Sequence, residues 1–245
     1  MNRSGVLMAT TLLAAAAVAL GGCSIYVPQA IVGSGKTVEI QKDFSGFSKI
    51  AAGSAFRVDV SQSDGYSVVI SVDEKVVPYL DVTVQGDTLR ISLRPGLAIA
   101  GATGPLEAKV SMPKLTGLNL SGATQTTVAG FKSADPLDAE VSGASRLEGS
   151  IETGDVRFQV SGASRVTLSG KGQQMTLEAS GASQGNLEQF AVSDAKVELS
   201  GASRATVNVT GHLDVNVSGA STLRYTGSPT MGTVQSTGAS TIQPK

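Results

Sequence analysis

Cys23 is the residue whose type and place imply the most specific chemistry. It is the only cysteine among 245 residues, and it closes the run Leu20-Gly21-Gly22-Cys23. An aliphatic residue, two small residues and a thiol in that order resemble a lipobox. The small residues let an extended chain enter a peptidase that cuts between Gly22 and Cys23, and the thiol takes a diacylglyceryl group. Upstream, Arg3 gives a positive start, and Val6 to Leu20 is uncharged and rich in Ala. That stretch has the length of a signal core and is short for a membrane span. Residues 1–22 are therefore expected to be a lipoprotein signal peptide, and 23–35 a lipidated N-terminus, bearing palmitate, followed by a tether. The alternatives are a plain secretory signal and a retained membrane anchor. Each buried acyl CH₂ contributes about 0.8 kcal/mol, so two or three chains hold a protein on a membrane. Ser24, in place of the Asp that retains many lipoproteins at the inner membrane, points by resemblance to the outer membrane of a Gram-negative bacterium.

A second set of candidates recurs along the chain. Gln125, Arg146, Arg165, Gln184, Arg204, Thr222 and Thr241 each follow one copy of a repeated motif. Stacked about 5 Å apart, as neighbouring strands are, Arg146 and Arg165 would repel by roughly 1 kcal/mol in water. Guanidinium forks match carboxylate and phosphate. The functional reading of Gln125, Arg146, Arg165, Gln184 and Arg204 is a strip for an anionic polymer such as acidic glycan or lipopolysaccharide phosphate. The plainer reading is a solubilising face, balanced by Glu140, Glu178 and Glu198, which share another repeat position with Gln159 between the first two.

Convergent catalytic chemistry is not legible. The sequence has no G-x-S-x-G elbow, phosphate loop or metal-ligand spacing, and its one histidine, His212, falls at a connection. Paired carboxylates could serve glycan hydrolysis, but no Asp cluster recurs on neighbouring repeats. Neither an enzyme nor a cofactor is expected. An ice-binding face would need an uninterrupted Thr array, and Arg, Gln and Glu break it.

The element that must position these residues is the repeat. Ser-Gly-Ala begins at Ser121, Ser142, Ser161, Ser180, Ser200 and Ser218, and Thr237 opens a seventh copy, at spacings of 21, 19, 19, 20, 18 and 19 residues. Around Ser161, Phe158, Val160, Val166 and Leu168 share one phase. Val197, Leu199, Ala205 and Val207 do so around Ser200, and Val215, Val217, Leu223 and Tyr225 around Ser218. Period-two alternation on both sides of a Gly corner means two strands per copy. A period near 20 fits one rung of a parallel β-helix, whose apolar side is buried only by stacking. An antiparallel stack of hairpins is the rival. At the corner, Gly is expected to supply positive φ, Ala to point inward, and the two Ser to form hydroxyl ladders. Residues 36–115 alternate less regularly, at Val58, Val60, Val68, Ile70, Val72, Val82, Val84, Leu89, Ile91 and Leu93. They are expected to cap the solenoid's N-terminal end, with Ala100-Gly101-Ala102-Thr103 as a degenerate copy.

Composition agrees with an all-β chain. Charged residues make up 16%, aromatics 4%, and Trp is absent. Apolar residues reach 41%, too many for a disordered chain. Net charge is −1, or −2 once Arg3 is removed with the signal, so no global basic field argues for nucleic acid.

The path from Phe44-Ser45-Gly46-Phe47 through Val58-Asp59-Val60 and Leu89-Arg90-Ile91 to the Ser-Gly-Ala-Ser rungs resembles the head GIN domain family, described as heads of autotransporter adhesins. The resemblance covers roughly residues 38–240. It implies a right-handed, single-stranded parallel β-helix with an irregular β-rich N-terminal cap, and it supplies no catalytic residues. No segment after the repeats resembles a membrane barrel, so lipid on Cys23 would replace the barrel as anchor. The expected function is a non-catalytic envelope lipoprotein: an adhesin or binding module over residues 36–245 (36–115 less regular, 116–245 the rungs), with polysaccharide or an envelope protein as partner. A structural envelope role without soluble ligand is the alternative, and a glycan-active enzyme a distant third.

Overall fold

The computed structural model describes residues 29–100 and 104–245. Gly22, Cys23, the signal segment and residues 101–103 lie outside them. The strands are β1 (Gln29–Val32), β2 (Thr37–Lys42), β3 (Lys49–Ala52), β4 (Arg57–Gln62), β5 (Ser67–Asp73), β6 (Leu80–Gln85), β7 (Thr88–Leu93), β8 (Leu97–Ala100), β9 (Glu107–Met112), β10 (Gly117–Leu120), β11 (Gln125–Lys132) and β12 (Leu137–Val141). They continue with β13 (Arg146–Glu152), β14 (Val156–Val160), β15 (Arg165–Lys171), β16 (Gln174–Ala179), β17 (Gln184–Val192), β18 (Asp194–Leu199), β19 (Arg204–Val209), β20 (His212–Val217), β21 (Thr222–Thr226), β22 (Thr230–Ser236) and β23 (Thr241–Pro244). The sole helical element among the described residues is a 3-10 turn at Val77–Tyr79.

From β10 onward, even-numbered strands stack in one sheet and odd-numbered strands in the other, each pairing in parallel with the strand two places along. The chain is thus a two-sheet parallel β-solenoid, and the hairpin rival is excluded for the repeats. Each strand alternates inward and outward side chains. The inward set, including Phe158, Val160, Val166, Leu168, Val197, Leu199, Val207, Val215, Val217 and Leu223, is buried, and Tyr225 is half-buried. Phe158 and Phe190 meet edge to face inside, with centroids 6.2 Å apart.

The N-terminal part is built differently. The β3–β4 turn sits between the β10–β11 turn on one side and β7 and β9 on the other, so spatial order departs from chain order. β5 then runs antiparallel to β9, β2 antiparallel to β5, and β6 closes a hairpin with β7. These antiparallel strands end the stack. Residues 29–35, expected as part of a tether, pack against this end. β1 pairs with β8, and Ile31 is buried. Gly35 N–H donates to the buried Asp73 carboxylate at 2.7 Å, and Ser34 Oγ donates at 3.2 Å.

The corner corrects two expectations. In each repeat Ala is exposed, as at Ala144, Ala163 and Ala182, while the residue after it is buried at Thr124, Ser145, Ser164, Ser183, Ser203 and Ser221 and half-buried at Ser240. Gly and Ala form the tip of a two-residue turn: Gly162 shares the phase of Val160 and Val166 yet is exposed, and inward pointing resumes in that same phase at Ser164. The buried hydroxyls bond locally: Ser203 Oγ donates to Ser200 O at 2.8 Å and Thr124 Oγ1 to Ser121 O at 2.7 Å. Ser183 and Ser203 also contact each other at 3.3 Å. Ser164 Oγ is buried without a partner among the described residues. The first Ser of the Ser-Gly-Ala copies is half-buried at Ser121, Ser142, Ser161 and Ser218 and exposed at Ser180 and Ser200, and at Ser142 and Ser218 its Oγ donates to the turn before it, to Leu120 O and Leu199 O.

Glycine is required here twice over. Gly201 has φ +73°, and a Cβ on it would lie 2.6 Å from the Gly181 carbonyl oxygen of the preceding turn. The close approach lets Ala202 N–H donate to Gly181 O at 2.7 Å, a bond repeated from turn to turn. The expected degenerate copy at Ala100-Gly101-Ala102-Thr103 falls largely outside the described residues, but another segment takes the place of a corner before Ser121. Register places Gly53-Ser54-Ala55-Phe56 on Ser121-Gly122-Ala123-Thr124, and Ser54 (φ 57°) and Ala55 (φ 60°) adopt the left-handed corner without glycine.

Candidate functional site

The repeat and the corner together fix the outward column on the odd-numbered sheet. Inward Ser is followed by an outward residue, and parallel pairing puts that residue level with its equivalent on the next turn. The structure aligns Gln125 with Arg146, Arg146 with Arg165, Arg165 with Gln184, Gln184 with Arg204, Arg204 with Thr222 and Thr222 with Thr241. All five candidate strip residues therefore lie in one row. Gln125, Arg146, Arg165 and Arg204 are exposed, and Gln184 is half-buried.

Sequence reasoning missed two neighbours of this row. Arg57 continues it beyond Gln125, and its guanidinium is paired with Glu107 at 3.4 Å. The signal was hidden because the corner before it reads Gly-Ser-Ala-Phe, not Ser-Gly-Ala-Ser. Arg224 lies in the adjacent outward column with Thr127, Glu148, Thr167, Asn186 and Thr206. Between the two columns, Arg165, Thr167, Gln184, Asn186, Arg204 and Thr206 line a shallow groove of about 240 Å³.

The other sheet carries the acids. Glu140, Gln159, Glu178 and Glu198 are level neighbours. They line a larger groove of about 430 Å³ together with Ser161, Ser180 and Ser200. These carboxylates already have partners. Glu178 accepts from Arg157 at 2.7 Å and from Gln159 at 3.3 Å, Glu198 pairs with Lys196 at 2.8 Å, and Glu140 accepts from Asn119 at 2.7 Å. The Lys196 ammonium is held above its usual pKa, chiefly by its bond to Glu198. By contrast, Arg146, Arg165 and Arg204 have no ion pair among the described residues. The two outer faces thus differ: Glu178 and Glu198 on one are ion-paired and Glu140 is hydrogen-bonded, while Arg146, Arg165 and Arg204 on the other have no ion pair among the described residues.

Elsewhere, ionisable groups form local pairs. Glu152 lies between Lys171 (3.1 Å) and Lys132 (3.2 Å), whose bonds hold its pKa below the usual carboxylate range, Lys171 first. His212 is exposed, with Nε2 3.6 Å from Asp214. Among the described residues no group of three His, Cys, Asp or Glu could hold a metal ion, and no helix is long and apolar enough to cross a membrane.

Known proteins share this architecture. A crystal structure of a putative adhesin from Bacteroides fragilis superposes with a TM-score of 0.83 at 22% identity, covering 88% of this chain and 100% of that one. A putative adhesin from Parabacteroides distasonis gives 0.69 at 18% identity, with 88% and 100% covered. A second protein of that organism, described as a putative lipid binding protein, gives 0.67 at 19% identity, with 89% and 100% covered. At these identities the likeness establishes the fold. No curated protein matches the sequence. A family model does: it matches residues 46–229, from the Gly46 turn through the rungs to the connection after β21. With that match spanning most of the solenoid, the chain belongs to the family described as "Putative auto-transporter adhesin, head GIN domain".

Proposed function

We propose that this protein is a non-catalytic, adhesin-like binding module of the cell envelope. Its ligand is an anionic glycan, carried along Gln125, Arg146, Arg165, Gln184 and Arg204. The observation that supports this reading most directly is the level stacking of Arg146 on Arg165 with no carboxylate paired to either among the described residues. The two charges repel by roughly 1 kcal/mol at a strand spacing in water, and the Glu-rich sheet is not used to offset them. A polymer bearing carboxylate or phosphate would relieve the repulsion and use the fork geometry of each guanidinium. The exposed, elongated row fits a chain-like ligand better than a small molecule, since its groove is shallow. Family membership supports the adhesin-like role in general terms.

The same reading anchors the molecule at the outer membrane by lipid on Cys23, with Gly22 as the last residue removed. Metabolic labelling with a palmitate analogue checks it: label should be lost in Cys23→Ser.

The ligand assignment is tested with soluble residues 24–245, which contain every described strand. Binding to acidic and neutral envelope glycans is measured at low and high salt, and each mixture is assayed for new reducing ends. Acidic polymers should bind, and salt should weaken binding. Replacing Arg146, Arg165 and Arg204 together by Ser should reduce affinity by about tenfold or more. Binding that ignores both salt and the three substitutions defeats the strip. New reducing ends would make the protein an enzyme. Neither binding nor products would favour a structural envelope role.

A further inference from the structure

Two rows of side chains on opposite outer faces carry matching orders of charge. On the odd-numbered sheet, β13, β15, β17 and β19 present Arg146, Arg165, Gln184 and Arg204, level from turn to turn. On the even-numbered sheet, β12, β14, β16 and β18 present Glu140, Gln159, Glu178 and Glu198 in the same way. Along the chain the first row runs cation, cation, amide, cation. The second runs acid, amide, acid, acid. Each order is the other reversed, with the sign of charge exchanged. Within one molecule the rows do not meet, because the core lies between the sheets. The three guanidinium groups have no ion pair among the described residues. The carboxylates have local partners but stay open to solvent: the side chains of Glu178 and Glu198 are 38% and 42% exposed, and Glu140 is exposed. A carboxylate has room for several donors, and Glu152 holds Lys132 and Lys171 at once.

We infer that the Glu row of a second copy of this chain seats on the Arg row, with the two solenoids face to face and their axes antiparallel. Arg146 then faces Glu198, Arg165 faces Glu178, Gln184 faces Gln159 and Arg204 faces Glu140. Pitch argues for a second copy as well as charge. Both rows step by one strand spacing, about 4.8 Å, so they stay level over their whole length. The order of residues selects the orientation. With axes parallel, no register pairs more than two of the three arginines with a carboxylate. With axes antiparallel but slipped by one turn, a single ion pair survives, Arg146 with Glu178 or Arg165 with Glu198.

The two rows lie on opposite faces, so every copy has one of each to offer. The contact is heterologous and does not close on itself. A half-turn about the normal to the sheets, with a shift along it, relates each copy to the next, and the product is an open stack of alternating direction. The net charge of −1 puts little general repulsion in its way. The stack uses the same Arg row as the glycan reading but does not rest on that reading. It adds a competitor: an acidic glycan and a neighbour's Glu row cannot occupy the row together.

The test is sedimentation of residues 24–245 over micromolar to sub-millimolar concentrations at low and high salt, with Arg165→Glu, Glu178→Arg and the two combined. Both side chains are outward, so the substitutions leave the core alone; circular dichroism checks the fold. The parent should grow beyond dimers at low salt and come apart at high salt. Each single variant should associate about tenfold or more weakly, because the reversed charge repels its partner. The double variant should recover the association of the parent, since the pair is rebuilt with its signs exchanged, and so should an equimolar mixture of the two single variants. Arg146→Glu and Glu198→Arg repeat the cycle at a second pair should either first variant misfold. A chain that stays monomeric, association that ignores salt, single variants that associate as the parent does, or a double variant as weak as the single ones would each overturn the inference. Glu178→Arg leaves the Arg row intact and so separates the two readings. Self-association without glycan binding removes only the glycan assignment, and glycan binding by a chain that stays monomeric removes only the stack.

Discussion

The seven successive turns from β10 to β23 and the cap built from β1 to β9 solve the same problem by opposite means. In the turns, each strand finds its partner one repeat away, level at a corner of nearly fixed sequence, and register shifts occur only further along the strands, as between Leu187 and Ala191. In the cap, partners are non-sequential: β3 separates β7 from β10, β4 separates β9 from β11, and pairing becomes antiparallel. The turns obtain order from repetition, where one corner serves as template for the next. The cap obtains it from individual tertiary contacts, such as Asp73 gathering Ser34, Gly35 and Lys75, and the rings of Phe47 and Tyr66 at 4.8 Å. At its corners the stack leaves little room for a change that the next turn does not copy, whereas bulges such as that of β17 are absorbed away from the corners.

That contrast is broken most forcefully at a corner glycine. Gly201→Val puts a β-branched side chain at φ +73° and into the carbonyl of the turn before it. Strain of this kind costs about 1–3 kcal/mol from the backbone alone, and overpacking adds about 1–3 kcal/mol. Urea unfolding should register a loss of several kcal/mol, carried by a lower midpoint. An unchanged midpoint would show that the stacked corner is not a template.

In the cap the corresponding weak point is one carboxylate. Burial opposes ionisation of Asp73, but backbone N–H groups led by that of Lys75, with help from Ser34 and Gly35, hold its pKa below the usual carboxylate value. A depressed folded pKa contributes stability above the unfolded pKa, near 3.9, and that contribution is lost as pH falls through the folded value. Acidification below about pH 4 should therefore loosen residues 29–40 before the rungs. At neutral pH, Asp73→Asn should cost about 1–3 kcal/mol, because a charged acceptor is replaced where three donors converge. Amide exchange resolves the effect: protection should fall around β1 and β2 and persist in β14 to β19. Uniform loss would mean that cap and turns unfold as one unit.

The smallest expected change sharpens the comparison from the other side. Ala55 is level with Ala123 and not with the corner glycine, and it too has a left-handed backbone, at φ 60°. Ala55→Gly should stabilise the chain by about 0.5–1 kcal/mol, since L residues pay about 1–2 kcal/mol for that conformation and the added unfolded-state freedom takes part of it back. A small upward shift of the thermal midpoint is the readout. A fall would mean that the Ala55 methyl contributes packing which outweighs backbone strain.

How much was legible differs between the two regions for a physical reason. The rungs were readable because a parallel stack copies one turn's environment onto the next, so identical residues must recur at identical places. The columns of Arg146, Arg165 and Arg204 and of Glu140, Glu178 and Glu198 followed from spacing alone. What the alternation hid was the tip: Ser164 shares the phase of Val160, Val166 and Leu168 and lies inside, whereas Gly162, in the same phase, is turned outside by the corner. The place of Arg57 was hidden too, since its turn inserts between strands that follow it in sequence.

Sequence by itself determined the alternating phases that became the core, the repeat length that became one turn, and the outward identity of the strip, because periodic patterning is a local property that every turn repeats. The tertiary structure alone decided that β3 and β4 slip beneath the first regular turn, that Asp73 draws residues 34 and 35 into the cap, and that Glu178 and Glu198 find cationic partners while Arg146, Arg165 and Arg204 have no ion pair among the described residues. Each of those depends on which distant side chains and edges meet, and contacts between residues far apart in the chain carry no period for a sequence to display.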